Sequence, residues 1–178
     1  MIPKLETPRL VMRPFNTSDF DVFAPFYASE QSRFVAGPDA TLAVTWRRLA
    51  SYAGCWQLRG FGKFVVEEKT SGKAVGIVGP WFPEGWPEPE IGWTILPEFQ
   101  GRGYATEATC RALTFAYGNL QWQTAMSAIF PGNEPSFKLA AKLGARRDGT
   151  FEFSPFGKLE VLRHLPPQEF SLLAVNLQ

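Results

Sequence analysis

The chain has 178 residues, 45% of them apolar, with 18 basic and 17 acidic side chains and a net charge near +1. That length suits one domain spanning 1–178 with a real core, and the balanced charge argues against sequence-independent nucleic-acid binding. Met1-Ile2-Pro3-Lys4-Leu5-Glu6 lacks the apolar core of a signal peptide, no run approaches the about 18 apolar residues of a membrane helix, and Cys55 and Cys110 lack CxxC spacing, so a reduced, cytoplasmic protein is the expectation.

Arg9–Pro14 alternates and predicts a first strand. Thr17-Ser18-Asp19 offers an N-cap for a helix to Tyr27. Gln31 to Pro38 reads as loop. A second helix runs from Thr41 to Leu58, with Leu42, Trp46, Leu49, Ala53 and Trp56 near helical spacing. Phe61–Glu68 and Ala74–Trp81 are strands joined by the turn Lys69–Lys73. Phe82–Pro89 is a loop rich in Pro and Trp. A strand at Ile91–Leu96, a helix at Ala105–Asn119 and a strand at Thr124–Phe130 follow. Glu134–Leu143 is a helix stopped by Gly144. Phe151–Phe153 and Leu159–Leu165 form a last hairpin around Ser154–Gly157, and the C-terminal tail has no clear pattern. The order β-α-α-β-β-β-α-β-α-β-β predicts an α/β (α+β) mixed sheet with helices on its faces.

Between the strand ending at Leu96 and the following helix lies Gln100-Gly101-Arg102-Gly103-Tyr104-Ala105-Thr106. A glycine-rich strand-to-helix turn presents unpaired N–H groups at the positive helix end, which binds phosphate. A Walker A loop would need Lys after its last Gly, and none follows Gly103. A dinucleotide fingerprint would need Gly or Ala at Thr106 and an acid about 20 residues on, and Leu120 to Gly132 contains no Asp or Glu.

The pattern Gln100-x-x-Gly103-x-Ala105 resembles the pyrophosphate loop of the GNAT acetyltransferase superfamily. Glu6–Pro14, Glu90–Trp93 with Pro97–Ala108, Asn133-x-x-Ser136 with Lys142–Ala145, and Arg163–Pro166 are similar, in order, to its ribosomal-protein N-terminal (RimJ/RimL-like) branch. The resemblance covers nearly the whole chain. It implies a central, mostly antiparallel sheet with helices on both faces and a cofactor at a splayed strand pair. It implies acetyl-CoA as acyl donor, with no metal. The amides of Gly101, Arg102, Gly103, Tyr104, Ala105 and Thr106 would hold the pyrophosphate, with Gln100 in the loop. The strand ending at Leu96 would pair with the pantetheine arm, Asn133 would bond that arm, and a bulge near Gly92 would aim an N–H at the thioester carbonyl.

An attacking amine must lose a proton. Glu90 stands where the family often places a carboxylate base, with Glu88 as the neighbouring alternative and Glu84 a distant one. Many family members carry a thiol-protonating Tyr at the position of Ala140, from which this chain departs; its resemblance to the ribosomal-protein branch, with Ser three residues after the Asn, implies Ser136 as the thiol partner instead. Asn133 also reads as a helix N-cap. His164, the one histidine, reads as structural, and Lys138 and Lys142 as a solvated face.

The loop Trp81–Glu90 mixes aromatic rings with three acids and suits an amine with an apolar or cationic body. A protein N-terminus and small-molecule amines both remain open as acceptor, and a homodimer is compatible. The alternatives outside catalysis are an acyl-CoA-binding protein without turnover, consistent with Ala140, and a nucleotide-binding module.

Overall fold

The computed structural model describes residues 1–35, 41–154, 157–175 and 177. Its strands are β1 (Leu5–Glu6), β2 (Leu10–Arg13), β3 (Phe64–Glu68), β4 (Ala74–Trp81), β5 (Glu90–Ile95), β6 (Met126–Ile129), β7 (Arg146–Phe153) and β8 (Gly157–Arg163). Its α-helices are α1 (Asp19–Tyr27), α2 (Leu42–Arg59), α3 (Tyr104–Gly118), α4 (Glu134–Lys142) and α5 (Pro167–Val175), with short 3-10 turns at Glu30–Ser32 and Pro97–Phe99. The strands form one sheet in the order β1-β2-β3-β4-β5-β6-β8-β7. Every neighbouring pair is antiparallel except β5 and β6. That parallel pair is in register at a single position, Glu90 opposite Met126.

Helix α3 rests on the sheet through Ala108, Ala112, Leu113 and Ala116, all fully buried. Their spacing lines one helix face, and the small alanines let the helix axis approach the sheet closely. Trp56 of α2, Phe64 of β3 and Phe115 of α3 lock the layers together, with ring centroids 4.9 to 6.3 Å apart. The Trp56 indole donates to the Lys63 carbonyl at 2.9 Å. A second, smaller core joins Ile129, Ala140, Ala145 and Leu162 under α4.

The elements follow the sequence reading, with instructive differences. The buried stripe of α2 is Thr45, Leu49, Tyr52, Cys55 and Trp56. Leu42 and Trp46, which share the helical spacing, are more than half exposed, and the Trp46 ring meets Phe20 of α1 edge-on. Strand β7 begins at Arg146, well before Phe151, but residues 146–150 are exposed, so no apolar alternation marks them. Helix α5, absent from the sequence reading, is anchored by Phe170 against Tyr117 at 5.6 Å. Gly144 ends α4 at φ +78°, and a Cβ there would stand 2.6 Å from Leu165 Cδ1. Residues 36–38 of the expected early loop, and Pro155 and Phe156 of the expected last turn, lie outside the described residues.

Candidate active site

The gap between β5 and β6 organises the site. Leu96 donates its N–H to the Val75 carbonyl at 2.9 Å, and the β4–β5 register is unbroken from Trp81·Glu90 to Gly76·Ile95. Bonded and non-bonded pairs alternate in an antiparallel ladder. The peptide groups of Ile91, Trp93 and Ile95 therefore point away from β4, toward β6. Pro80 sits opposite Ile91 in a non-bonded pair and beyond Val78, where the pairing with β3 ends, so its missing N–H breaks no ladder bond. The bulge expected near Gly92 is not present in this pairing. Divergence of the strands, rather than a bulge, frees the backbone.

Side chains cover part of what the divergence exposes. The Ser127 hydroxyl donates to the Ile91 carbonyl at 2.6 Å, and the Gln100 amide to the Ile95 carbonyl at 2.9 Å. The Ala128 N–H donates to Glu90 Oε2 at 3.0 Å. The peptide groups of Trp93 and the N–H of Ile95 still face the gap, available to an amide-bearing ligand.

At one end of the gap is the turn into α3. Gly101 and Gly103 take φ +75° and +81°, a region costly for residues with a Cβ. The N–H groups of Gly101 to Thr106 find no acceptor among the described residues. A Cβ at Gly101 would meet nothing within 4 Å. Arg9 and Arg102 flank this cradle. Arg9 is held by Glu107 at 2.7 Å and donates to the Arg102 carbonyl at 2.9 Å. The Tyr104 hydroxyl is tied to Glu68.

A cavity of about 940 Å³ extends from Gly101, Gly103, Tyr104 and Ala105 past Asn133 and Ser136 to a wall of aromatic side chains. Of the residues singled out from sequence, Glu90, Gln100, Gly101, Gly103, Tyr104, Ala105, Asn133 and Ser136 line it. Leu96, Arg102 and Thr106 do not. Both peptide groups of Leu96 are used inside the protein, by Val75 and Phe99, so the free edge of the strand lies at Trp93 rather than at Leu96. The Arg102 guanidinium stacks on Phe99 and bonds the Glu98 carbonyl. The Asn133 side chain makes no cap bond to α4, which leaves it free for a ligand. Ala140 is fully buried, and Lys138 and Lys142 are exposed.

The three acids of the loop before β5 separate cleanly. Glu84 is almost fully exposed and pairs with Arg59. Glu88 is clamped by Arg163, at 2.6 Å for one oxygen, and Arg163 also holds Asp148. Glu90 alone lines the cavity. Burial pushes its pKa up, against the opposing pull of Lys63, the Ala128 N–H and Trp86. The Trp86 indole N–H lies near the carboxylate without completing a hydrogen bond, and its ring packs on Phe151 and Phe153. The acidic wall expected for this loop is therefore a single carboxylate among aromatic rings.

Two partners were not visible in the sequence. The Trp93 indole donates to Ser136 Oγ at 3.1 Å. With one lone pair so occupied, the Ser136 hydroxyl keeps its proton free to donate. Lys63, just before β3, is buried and lies with its Nζ 4.7 Å from the Tyr52 ring centre. Trp93 closes the Glu90–Trp93 block, but nothing in the sequence pairs it with Ser136, and Lys63 sits in no recognisable motif.

His164 is buried and bonded to Ser127 at 2.8 Å. Since Ser127 donates to Ile91, the histidine Nε2 carries the proton in this contact. Burial, aided by Arg163, pushes its pKa down to about 4, so it is a neutral brace of the gap. Cys55 and Cys110 are free and buried, and burial raises both thiols. No cluster of three metal-ligating side chains exists among the described residues. No helix among them is long and apolar enough to cross a membrane.

This arrangement of sheet, split strand pair and amide-lined turn matches a known family. The GNAT acetyltransferase domain model matches residues 9–146. The chain belongs to that family, and is an acyl-CoA-dependent acetyltransferase of mixed α/β fold. It is 32% identical to an acetyltransferase of Agrobacterium tumefaciens strain C58, with 93% of this chain and 95% of that one covered and a TM-score of 0.85. It is 24% identical to the uncharacterized N-acetyltransferase YoaA of Bacillus subtilis (strain 168), over 84% of this chain and 86% of that one. Mycobacterium smegmatis RimJ, in complex with CoA-disulfide, shares the fold at 18% identity and a TM-score of 0.73, over 94% and 87% of the two chains.

The single histidine permits a direct test. Its ring resonance is expected to titrate near pH 4 by NMR, not near 6.5. Because the folded value is depressed, the neutral ring's contribution is full above pH 6.5 and lost as pH falls toward 4. It is worth about 3 kcal/mol. A midpoint near 6.5 would show that the ring reaches solvent.

Proposed function

We propose that the protein transfers the acetyl group of acetyl-CoA to a primary amine, by direct attack of the amine on the thioester. The observation that carries this reading is the alignment, along one cavity, of the Gly101–Thr106 amides, the free edge of β5 and the buried Glu90 carboxylate. The RimJ neighbour with its CoA-disulfide supports CoA as the ligand of that edge.

The amides of Gly101 to Thr106 suit the pyrophosphate. The positive end of α3 adds about 0.3–2 kcal/mol. Gln100 holds the turn against β5 through the Ile95 carbonyl. Trp93 and Asn133 bond the pantetheine arm. The N–H groups facing the gap are placed to stabilise oxygen charge as the N–C bond forms.

Glu90 accepts the proton of the incoming ammonium. Its raised pKa brings it closer to the amine's and makes it a better base. As the C–S bond breaks, Ser136 donates its proton toward the departing sulfur, oriented by the Trp93 indole. The nitrogen's second proton is lost to solvent as the amide forms, and solvent returns one proton to Ser136, so it balances the proton taken up by sulfur.

CoA and acetyl-CoA are expected to raise the melting temperature, and NAD and ATP far less. At 100 times the dissociation constant the gain is about 2.7 kcal/mol. Gly103→Val should remove most of that gain, since its side chain would be forced into left-handed backbone beside Arg9. An undiminished CoA shift in that variant counts against the turn as the phosphate cradle.

Glu90→Gln should lower turnover about 10²–10⁴-fold with CoA binding intact. The loss should shrink at high pH, where more amine is already neutral. Ser136→Ala should slow poor leaving thiols more than activated thioesters. Unchanged chemistry-limited rates in both variants would remove both residues from the mechanism.

A further inference from the structure

The chain devotes two glycines to bringing Lys63 beside Glu90. Gly79 and Gly92 face each other across β4 and β5. A Cβ at Gly79 would stand 3.1 Å from Lys63 Cα, and one at Gly92 would stand 2.8 Å from Lys63 Nζ and 3.2 Å from Glu90 Oε1. The paired glycines thus form a trough that carries the lysine side chain across the sheet. The trough walls are aromatic, with Nζ 4.7 Å from the Tyr52 ring centre and 5.5 Å from that of Trp81.

Lys63 and Glu90 do not neutralise each other by contact. No ion pair engages either one among the described residues. Lys63 Nζ donates no hydrogen bond there, although Lys63 is only 7% exposed. Both side chains line the cavity, with opposite charges at close but unbonded positions. Around them the lining is cationic, with Arg33, Arg47 and Arg48 present and no acid besides Glu90. The Lys63 ammonium thus rests on two rings at the cavity with no anion in contact, and an anionic group bound there would complete its charge.

We propose that the acceptor is a free amino acid with an apolar side chain, its ammonium on Glu90 and its carboxylate on Lys63. This rests on the acetyl-transfer reading above and specifies its acceptor. A zwitterion carries its two charges on one carbon, and Lys63 Nζ and Glu90 Oε1 flank the same face of Gly92 without forming an ion pair. A peptide N-terminus has an amide where the carboxylate would be, and would leave Lys63 buried and unpaired. A polyamine or aminoglycoside would place further positive charge against Lys63 and Arg48. Phe26, Phe34, Val35 and Trp86 offer the apolar wall for the side chain.

The test is release of CoA thiol from acetyl-CoA with L-phenylalanine, L-leucine and L-methionine, their carboxamides, and peptides that begin with the same residues. At least one free acid is expected to exceed its amide and peptide about 10²-fold in kcat/KM. Lys63→Met should erase that preference, mainly through KM for the acid, while the CoA-induced thermal shift stays unchanged. Lys63→Arg should restore part of it. Amides or peptides used as well as the acids by the wild-type protein would overturn the proposal and leave acetyl transfer standing. So would a preference that survives Lys63→Met. No thiol release with any amine would instead overturn the acetyl-transfer reading itself.

Discussion

Everything at the site depends on β5 and β6 parting after one shared position. A parallel pair that separates exposes backbone groups on both strands, and buried groups of that kind must find partners. Here the partners are side chains. Ser127 takes the Ile91 carbonyl and Glu90 takes the Ala128 N–H. His164 braces Ser127 from behind, neutral and buried. The same contacts that keep the strands apart therefore also place a carboxylate at the junction. Glu90 is thus a structural part of the junction, and its burial there is what lifts its pKa.

The two ends of the gap use different physics. At the α3 end the ligand-facing groups are backbone amides, with direction fixed by left-handed turns at Gly101 and Gly103. Little side-chain entropy is lost when such a site is filled. At the other end the groups are side chains held by rings. Trp86 is wedged on Phe151 and Phe153, and Lys63 lies on Tyr52 and Trp81. Cation–π contact and packing fix these positions without satisfying the charges. That end is preorganised, with its cation held by rings rather than by an ion pair.

The turn into α3 was legible because its shape resides in local sequence. Glycines at close spacing, after an alternating strand and before a helical stripe, dictate backbone shape on their own. Strand β4, residues Ala74–Trp81, was legible to its ends for the same reason, since its apolar run is bounded by Gly72 and Pro83. The first turns of α2 were misread. Leu42 and Trp46 have helical spacing, but which face is buried depends on what the helix packs against. The glycine at 92 was read as a bulge, whereas its neighbour across the sheet, Gly79, gives it another purpose: room for Lys63.

By itself the sequence determined the order of elements from β2 to β8, the glycine turn into α3 and the small set of acids near β5, because these depend on contacts between residues close in the chain. Only the tertiary structure decided among those acids. Glu84 and Glu88 are taken by Arg59 and Arg163, 25 and 75 residues away, and Glu90 is left facing the cavity. It also brought Trp93 to Ser136 across 43 residues, and set Lys63 beside Glu90 through a trough in two other strands. Pairings of that kind are set by how strands align side by side, and no local pattern of residues encodes that alignment.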